Sequence, residues 1–224
     1  MELIPYHAAP VLGIIAYFNY PKDLQMSESF IFMFSIFHNL IMILFSAWTF
    51  INLSYVLYEK GIVFDNNYYF SDSHFTTIIY YFYISKYYEF FDTFLLYLKN
   101  KEPIFLQKFH HTGAVICWHL GYTYNVDAMW IPTIANSLVH TIMYSYYLGS
   151  VLKISQIRFI KQYITSMQLI QLIIPNILTT YYYYPPIESN WNYNIILVFI
   201  TYVYILIGLF IQFYYNNYIK KIKI

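Results

Sequence analysis

Long apolar runs separated by short polar segments dominate the pattern along the 224-residue chain. A helix that crosses a bilayer needs about 20 mostly apolar residues, within a range of about 17–25. The runs predict seven transmembrane helices, at residues 4–20, 30–57, 75–98, 103–121, 129–150, 159–183 and 192–215. The segments between them hold most of the charges and several helix-breaking residues, such as Gly61 and Pro103. The pattern therefore predicts one all-α integral membrane domain over residues 1–224.

The composition agrees with a membrane protein. Charged residues make up 10% of the chain and hydrophobic residues 59%, whereas a soluble domain carries about 25% charged residues. The formal net charge of +1 argues against a nucleic-acid partner. Cys117 is the single cysteine, so an intramolecular disulfide is excluded. The first residues lack a basic segment, and we expect no cleavable signal peptide.

The basic residues predict the orientation, since Lys and Arg concentrate in cytoplasmic segments. With seven spans, one side of the membrane receives ten of the twelve basic residues: Lys22, Lys99, Lys101, Lys108, Lys153, Arg158, Lys161, Lys220, Lys221 and Lys223. The other side receives Lys60, and Lys86 falls within the third span. We therefore expect a cytosolic C-terminus and an N-terminus across the membrane. Six spans would scatter this asymmetry.

Polar residues form stripes on four of the predicted helices. Residues three and four apart share one helix face, and ionisable residues inside a membrane are costly and usually functional. At about 1.5 Å of rise per residue, the principal groups lie about 9–18 Å from the cytosolic side. The stripes are Lys86, Glu89, Asp92 and Thr93; Gln107, His110 and His111; Asn136, His140, Tyr144 and Tyr147; and Thr165, Gln168 and Gln171. They predict a polar chamber that is open to the cytosol and holds an apolar tail in the bilayer core.

Each stripe also has a structural interpretation. Lys86 and Glu89 form an intrahelical ion pair that makes burial tolerable, and Gln168 and Gln171 are typical of hydrogen bonds between helices. His119 lies near the far end of its helix, where a structural role is expected. His7, His38 and His74 are not expected to be catalytic. The common depth of all four stripes favours a functional site over these separate explanations.

Four motifs in this order resemble the ELO family of fatty-acid elongases, the condensing enzymes of the endoplasmic reticulum. "KYYEFFDT" resembles K-x-x-E-x-x-D-T, and "LQKFHH" resembles the H-x-x-H-H box. "NSLVHTIMYSYY" resembles N-x-x-V-H-x-x-M-Y-x-Y-Y, and "TSMQLIQ" resembles T-x-x-Q-x-x-Q. A weaker match is His38–Asn39, where the family often has Tyr-Asn. Gln107 departs from the first box histidine, and the chain is short for the family.

The resemblance implies a very-long-chain 3-oxoacyl-CoA synthase, which condenses acyl-CoA with malonyl-CoA and releases CoA and carbon dioxide. It implies His110 as the nucleophile that forms an acyl-imidazole. His111 and His140 then orient the acyl group and stabilise the enolate. Supporting roles fall to Lys86, Glu89, Asp92, Thr93, Gln107, Asn136, Tyr144, Tyr147, Gln168 and Gln171. No cofactor or metal is expected.

The resemblance and the charges also predict partners. Basic residues that ring the cytosolic mouth are candidates to bind the phosphates of CoA, or they only enforce topology; they are Lys99, Lys101, Lys108, Lys153, Arg158 and Lys161. The family implies an endoplasmic reticulum membrane and the other enzymes of the elongation cycle. The oligomeric state is left open, a homodimer included, and so is the preferred acyl chain.

Three other functions remain as alternatives at this stage. A catalytically degenerate elongase would be marked by Gln107. A seven-helix transporter would use the buried ionisable residues as a proton relay. A di-iron desaturase is the third alternative, because imidazole is a suitable ligand for iron. Such a site would need about eight histidine ligands, more than the seven histidines of the chain.

Overall fold

The computed structural model describes residues 3–22, 24–65, 68–157, 159–183 and 191–220, and this part of the chain is helical with connecting turns. Its α-helices are α1 Leu3–Phe18, α2 Glu28–Lys60, α3 Ser73–Tyr88, α4 Phe90–Leu98, α5 Phe105–Thr123, α6 Trp130–Val151, α7 Ile160–Tyr183 and α8 Trp191–Tyr214. Short 3₁₀ turns occupy Asp127–Met129 and Ser155–Ile157, and a π-helical turn occupies Tyr215–Ile219. The all-helical prediction is confirmed, and a helix occupies each of the seven predicted runs.

The third predicted run, 75–98, is helical apart from a break of one residue. Helix α3 ends at Tyr88 and α4 begins at Phe90, with Glu89 between them. Glu89 keeps φ −60° and ψ −16°, which is close to 3₁₀ geometry, so the chain continues in nearly the same direction. An interruption of this kind inside a helix often marks a functional position.

Local signals explain where α2 and α3 begin and end. The side chain of Ser27 accepts a hydrogen bond from a backbone N–H in the first turn of α2, and Asp72 accepts two in the first turn of α3. These caps satisfy N–H groups that the helix itself leaves free. After α2, Gly61 adopts a φ of +75°, which glycine reaches without steric strain.

Six of the helical segments pack in a closed order. Helix α2 contacts α6, α6 contacts α7, α7 contacts α8, α8 contacts α5, α5 contacts α3, and α3 contacts α2. Helix α4 continues α3 and contacts α2 and α5, while α1 packs on α5. The four helices with predicted polar stripes are therefore all members of this ring.

The polarity of α2 is the reverse of that in a soluble protein. Phe37, Leu44 and Ile51 are 61%, 62% and 64% exposed, whereas His38 and Thr49 are fully buried. A water-facing helix would expose its polar residues instead. Within the described ranges, two helical stretches are long and apolar enough to cross a membrane, Glu28–Lys60 and Asn194–Ile219. The exterior of α2 is thus suited to lipid and its inner face to a polar interior.

One end of the bundle is tied together by Asp127. This residue is fully buried, and its carboxylate accepts hydrogen bonds from the backbone N–H groups of Tyr68, Tyr69 and Phe70. These bonds join the α2–α3 connection to the α5–α6 connection. The same end holds a buried aromatic cluster that includes Tyr69 and Trp130. We call it the closed end, and the opposite end, with Lys99 and Lys161, the basic end.

Candidate active site

A closed set of four buried polar side chains joins α3 to α6. The ammonium nitrogen of Lys86 lies 2.6 Å from Oε1 of Glu89 and 3.0 Å from Oδ1 of Asn136. The amide nitrogen of Asn136 lies 3.0 Å from Nε2 of His140, whose Nδ1 lies 3.4 Å from Oε1 of Glu89. Each residue of this set, which we call the Lys86 ring, therefore has two partners within it.

Hydrogen-bonding capacity fixes the proton of His140. Lys86 can only donate, so the Asn136 atom that faces it must be the carbonyl oxygen. The amide nitrogen of Asn136 then donates to Nε2 of His140, which must be unprotonated. A neutral His140 therefore carries its proton on Nδ1, the nitrogen that lies 3.4 Å from Oε1 of Glu89. The ring holds this imidazole in one tautomer and one orientation.

A second arrangement fixes the proton of His110 on α5. The hydroxyl of Tyr202 on α8 donates to the backbone carbonyl oxygen of His110 at 2.9 Å, and its oxygen lies 3.3 Å from Nδ1 of His110. Because the single hydroxyl hydrogen is used for the carbonyl, Nδ1 must act as the donor. A neutral His110 therefore keeps a free lone pair on Nε2, the form that a nucleophilic imidazole needs.

His110 lies beside the Lys86 ring. One ring nitrogen of His110, one of His140 and a carboxylate oxygen of Glu89 lie within 4.8 Å of one another, the one group of possible metal ligands found in the described part of the chain. Two histidines and a carboxylate suit several transition metals. A cation would compete with the ammonium of Lys86 for Glu89. The expectation that the protein needs no metal stays a prediction.

A further buried cluster connects α2, α4 and α6 through Asp92. Its two carboxylate oxygens pair with Nε2 of His38 at 2.9 Å and with the hydroxyl of Tyr144 at 2.6 Å. His38 is not expected from the sequence to be catalytic, yet it contacts Asp92, a predicted site residue. The one sequence signal for a role of His38 is its position next to Asn39, in the weakest of the matches to the family motifs.

Gln107 and Thr93 meet where α5 passes α4. The amide nitrogen of Gln107 donates to Oγ1 of Thr93 at 3.1 Å, and that oxygen is 2.9 Å from the hydroxyl of Tyr17. His111 is buried nearby, with its ring centroid 5.6 Å from that of His110. Nδ1 of His111 has no hydrogen-bond partner among the described residues.

The predicted stripe on α7 is divided between different surroundings. Gln168 directs its amide nitrogen at the sulfur of Met143 at 3.1 Å, and Thr165 contacts the hydroxyl of Tyr218. Of the three residues in this stripe, Gln171 is the one that lines the cavity described next. Tyr147 on α6 is 39% exposed. In the described part of the chain, neither Thr165 nor Tyr147 forms a hydrogen bond with a residue of the Lys86 ring.

The larger of two neighbouring cavities lies between α5, α6, α7 and α8. His110 and Asn136 contribute polar atoms to its wall, and apolar residues such as Phe199 form much of the remainder. The smaller cavity shares Pro132, Thr179 and Phe199 with the larger one and extends to Met129 at the closed end. The two cavities thus lie next to each other along the direction from His110 to the closed end.

The predicted CoA-binding residues lie at helix ends that face the same way. Lys99, Lys101, Lys153 and Lys161 are exposed, and Lys108 is partly buried. They follow α4 and α6 or lie at the starts of α5 and α7. Arg158 lies outside the described residues. A contact with CoA remains a prediction for all of them.

Comparisons with known proteins give consistent results. The model of the ELO (GNS1/SUR4) family matches residues 5–223. Fatty acid elongase A of Dictyostelium discoideum is 29% identical over 231 residues, which cover 97% of this chain and 82% of that protein. Fatty acid elongase sre1 of the same organism is 33% identical over 153 residues, 62% of this chain and 53% of that protein.

A third relative is very long chain fatty acid elongase 4 of Trypanosoma cruzi, which is 38% identical over 112 residues, 49% of this chain and 39% of that protein. The matches to sre1 and to the trypanosomal protein thus span about half or less of those relatives. The family model, in contrast, covers nearly the whole of this chain. The chain therefore belongs to the ELO (GNS1/SUR4) family of membrane proteins.

Proposed function

We propose that this protein is a fatty-acid elongase, an acyltransferase that condenses acyl-CoA with malonyl-CoA to give 3-oxoacyl-CoA, CoA and carbon dioxide. The observation that carries the proposal is the position of His110. Its Nδ1 is held by Tyr202, and it lies beside Glu89 and His140 at the wall of an apolar cavity. The relatives named as fatty acid elongases support the same reaction class.

The first half-reaction transfers the acyl group to His110. Nε2 attacks the thioester carbon, the carbon–sulfur bond breaks, and CoA leaves as a thiolate that takes a proton from solvent. The acyl-imidazole retains its proton on Nδ1 and is positively charged, and the carboxylate of Glu89 lies close enough to stabilise that charge. Asn136 and Gln168 are the candidate donors to the thioester oxygen.

The second half-reaction forms the carbon–carbon bond. Malonyl-CoA loses carbon dioxide, and the electrons of the broken bond form an enolate. The enolate carbon attacks the acyl carbon, and the imidazole of His110 leaves and is regenerated. His111 and His140 are the candidates to orient the acyl group and stabilise the enolate, and the Lys86 ring positions His140 for this role.

The same proposal states how the bundle lies in the membrane. The seven helical runs cross the membrane, α3 and α4 counting as one, and enclose a polar chamber whose basic end opens to the cytosol. There Lys99, Lys101, Lys108, Lys153, Arg158 and Lys161 hold the phosphates of CoA, and the C-terminus is cytosolic. The membrane is that of the endoplasmic reticulum, where the other enzymes of the elongation cycle use the product.

The activity itself is tested with purified protein in detergent or microsomes. A panel of acyl-CoAs is supplied with radiolabelled malonyl-CoA, and 3-oxoacyl product and carbon dioxide are measured. We expect both products for at least one acyl chain, and the best substrate will define the chain length. Folded protein that condenses none of the acyl-CoAs would contradict the proposal and would favour a degenerate elongase or a transporter.

Gly113 provides a test of the contact between His110 and Tyr202. A methyl group at Gly113 would overlap the ring of Tyr202, so Gly113→Ala should displace that ring and release the imidazole of His110. We expect condensation to fall by up to about a hundredfold, since small misplacements of reacting groups have effects of that size. Initial rates on matched amounts of folded protein provide the measurement.

Gly208→Ala on α8 is the matched control, because no atom lies within 4 Å of the methyl group that it adds. Its condensation rate should stay close to that of the unchanged protein. Equal rates for Gly113→Ala and Gly208→Ala would contradict the role given to Tyr202.

A further inference from the structure

Amide groups of two residues on α7 lie in the wall of the larger cavity and include buried atoms without hydrogen-bond partners among the described residues. Asn176 is 4% exposed, and neither its amide nitrogen nor its amide oxygen has a partner in the part of the chain that the structure describes. The amide oxygen of Gln171 is also buried and unpartnered there. Buried polar groups are nearly always hydrogen-bonded, so each exception requires an explanation.

Pro175 removes one helical hydrogen-bond donor at the same place. It lies inside α7 and lines the cavity beside Asn176. Proline has no N–H, so it cannot donate the helical hydrogen bond to the carbonyl of Gln171 four residues earlier. Unpaired backbone groups at membrane depth are tolerated where they line a cavity with polar contents. This part of the wall therefore carries unpaired polar side chains, next to a carbonyl that has lost its usual helical donor.

The polar region lies some distance along the cavity from the reacting groups. Asn176 follows Gln171 by five residues, which corresponds to about 7.5 Å along the helix. Thr179, one turn further, lines both the larger cavity and the cavity that extends to the closed end. An acyl chain bound to His110 and extending toward that end would pass Asn176 before reaching Thr179.

The hydrogen-bonding capacity of Asn176 limits which chemical group of a ligand could pair with it. Its free amide offers one group that donates and one that accepts. A hydroxyl on the acyl chain can donate to the amide oxygen and accept from the amide nitrogen. A keto or epoxide oxygen can only accept, and a methylene group or a double bond satisfies neither atom.

We propose that the cavity selects fatty acyl chains that carry a hydroxyl group within the chain, and that Asn176, assisted by Gln171, binds this hydroxyl. The inference rests on the proposed function and adds the substrate class to it. A site built to bond a hydroxyl discriminates against the chain that lacks it, because the buried amide is then left unpaired.

The experiment compares palmitoyl-CoA with a set of hydroxypalmitoyl-CoAs in which the hydroxyl is moved along the chain. Full-length protein receives pairs of these substrates in competition, with radiolabelled malonyl-CoA, and kcat/KM ratios are measured. For one or two adjacent hydroxyl positions we expect a preference of roughly tenfold over palmitoyl-CoA. All other positions should be elongated less efficiently than palmitoyl-CoA.

The variant Asn176→Leu should bring that ratio to about one or below, because leucine has the same branching at Cγ and no hydrogen-bonding groups. Ile177→Leu is the matched control, since Ile177 is the next residue on α7 and is 57% exposed. It should keep the preference of the unchanged protein. Asn176→Ser, which retains a hydroxyl, is the second variant and should keep part of it.

Two results would overturn the inference by itself. The first is equal use of all hydroxylated and plain chains by the unchanged protein, as expected if water satisfies Asn176. The second is a preference that persists in Asn176→Leu. If palmitoyl-CoA is elongated, either result leaves the proposed function intact. If no acyl-CoA is condensed, the proposed function fails and the inference falls with it.

Discussion

Replacement of His110 by alanine will abolish condensation, with a loss of at least about a thousandfold in kcat. The variant lacks the imidazole whose Nε2 lone pair is left free by the hydrogen bonds to Tyr202. Without it the acyl group has no covalent acceptor, and both half-reactions stop. The measurement is release of labelled carbon dioxide and 3-oxoacyl product from acyl-CoA and malonyl-CoA.

Gln107→Ala is the control on the same helix. Gln107 lies one turn before His110, and its amide nitrogen donates to Thr93, so its loss removes one hydrogen bond and no reacting group. We expect this variant to keep measurable condensation. Full activity in His110→Ala would rule out the covalent mechanism, whereas total loss in Gln107→Ala would show that this position is needed for the chemistry.

Replacement of Lys86 by methionine will destabilise the fold by about 3–5 kcal/mol, because it leaves the buried carboxylate of Glu89 without its cation. Lys86 and Glu89 are 2% and 1% exposed, and their charged atoms are 2.6 Å apart. The ammonium also lies 3.9 Å from the ring centroid of Phe82, a contact that stabilises a cation. Thermal unfolding in detergent provides the measurement.

The double variant Lys86→Met/Glu89→Gln separates stability from function. It removes both charges, so most of the lost stability should return. Condensation should not return, because the carboxylate that orients His140 and faces His110 is gone. A double variant as unstable as Lys86→Met would contradict the account of a buried ion pair. Recovery of activity would contradict the role given to Glu89.

The positions of the helices could be predicted because they depend on local sequence. Apolar runs and their polar boundaries, such as the Asp72 cap, determine where each helix lies. The interruption at Glu89 could not be predicted in this way. Glu89 keeps near-helical φ and ψ, so a break of one residue leaves the periodic pattern of apolar positions unchanged.

The site was predictable to the extent that its contacts lie within one helix. Lys86 with Glu89 and Asn136 with His140 are pairs at three and four residues, so spacing identifies them. Tyr202 is 92 residues from His110 and is one of 29 tyrosines in the chain. Only the packing of α8 on α5 distinguishes it from the others.

The roles of His38 and Asn176 also depend on contacts between distant parts of the chain, which the sequence does not reveal. His38 meets Asp92 across 54 residues, and its sequence motif is a weak one. Asn176 follows a proline in an apolar helix, where its sequence context indicates a kink and no ligand. Its significance depends on the cavity that four helices form together.

The most direct test of the central claim is to look for the acyl-enzyme itself. Purified protein is incubated with acyl-CoA alone, digested and examined by mass spectrometry, before and after malonyl-CoA is added. The account predicts an acyl group on the peptide that contains His110, which disappears as 3-oxoacyl-CoA forms. Active protein that carries no acyl group on His110, or carries it on another residue, would contradict the account.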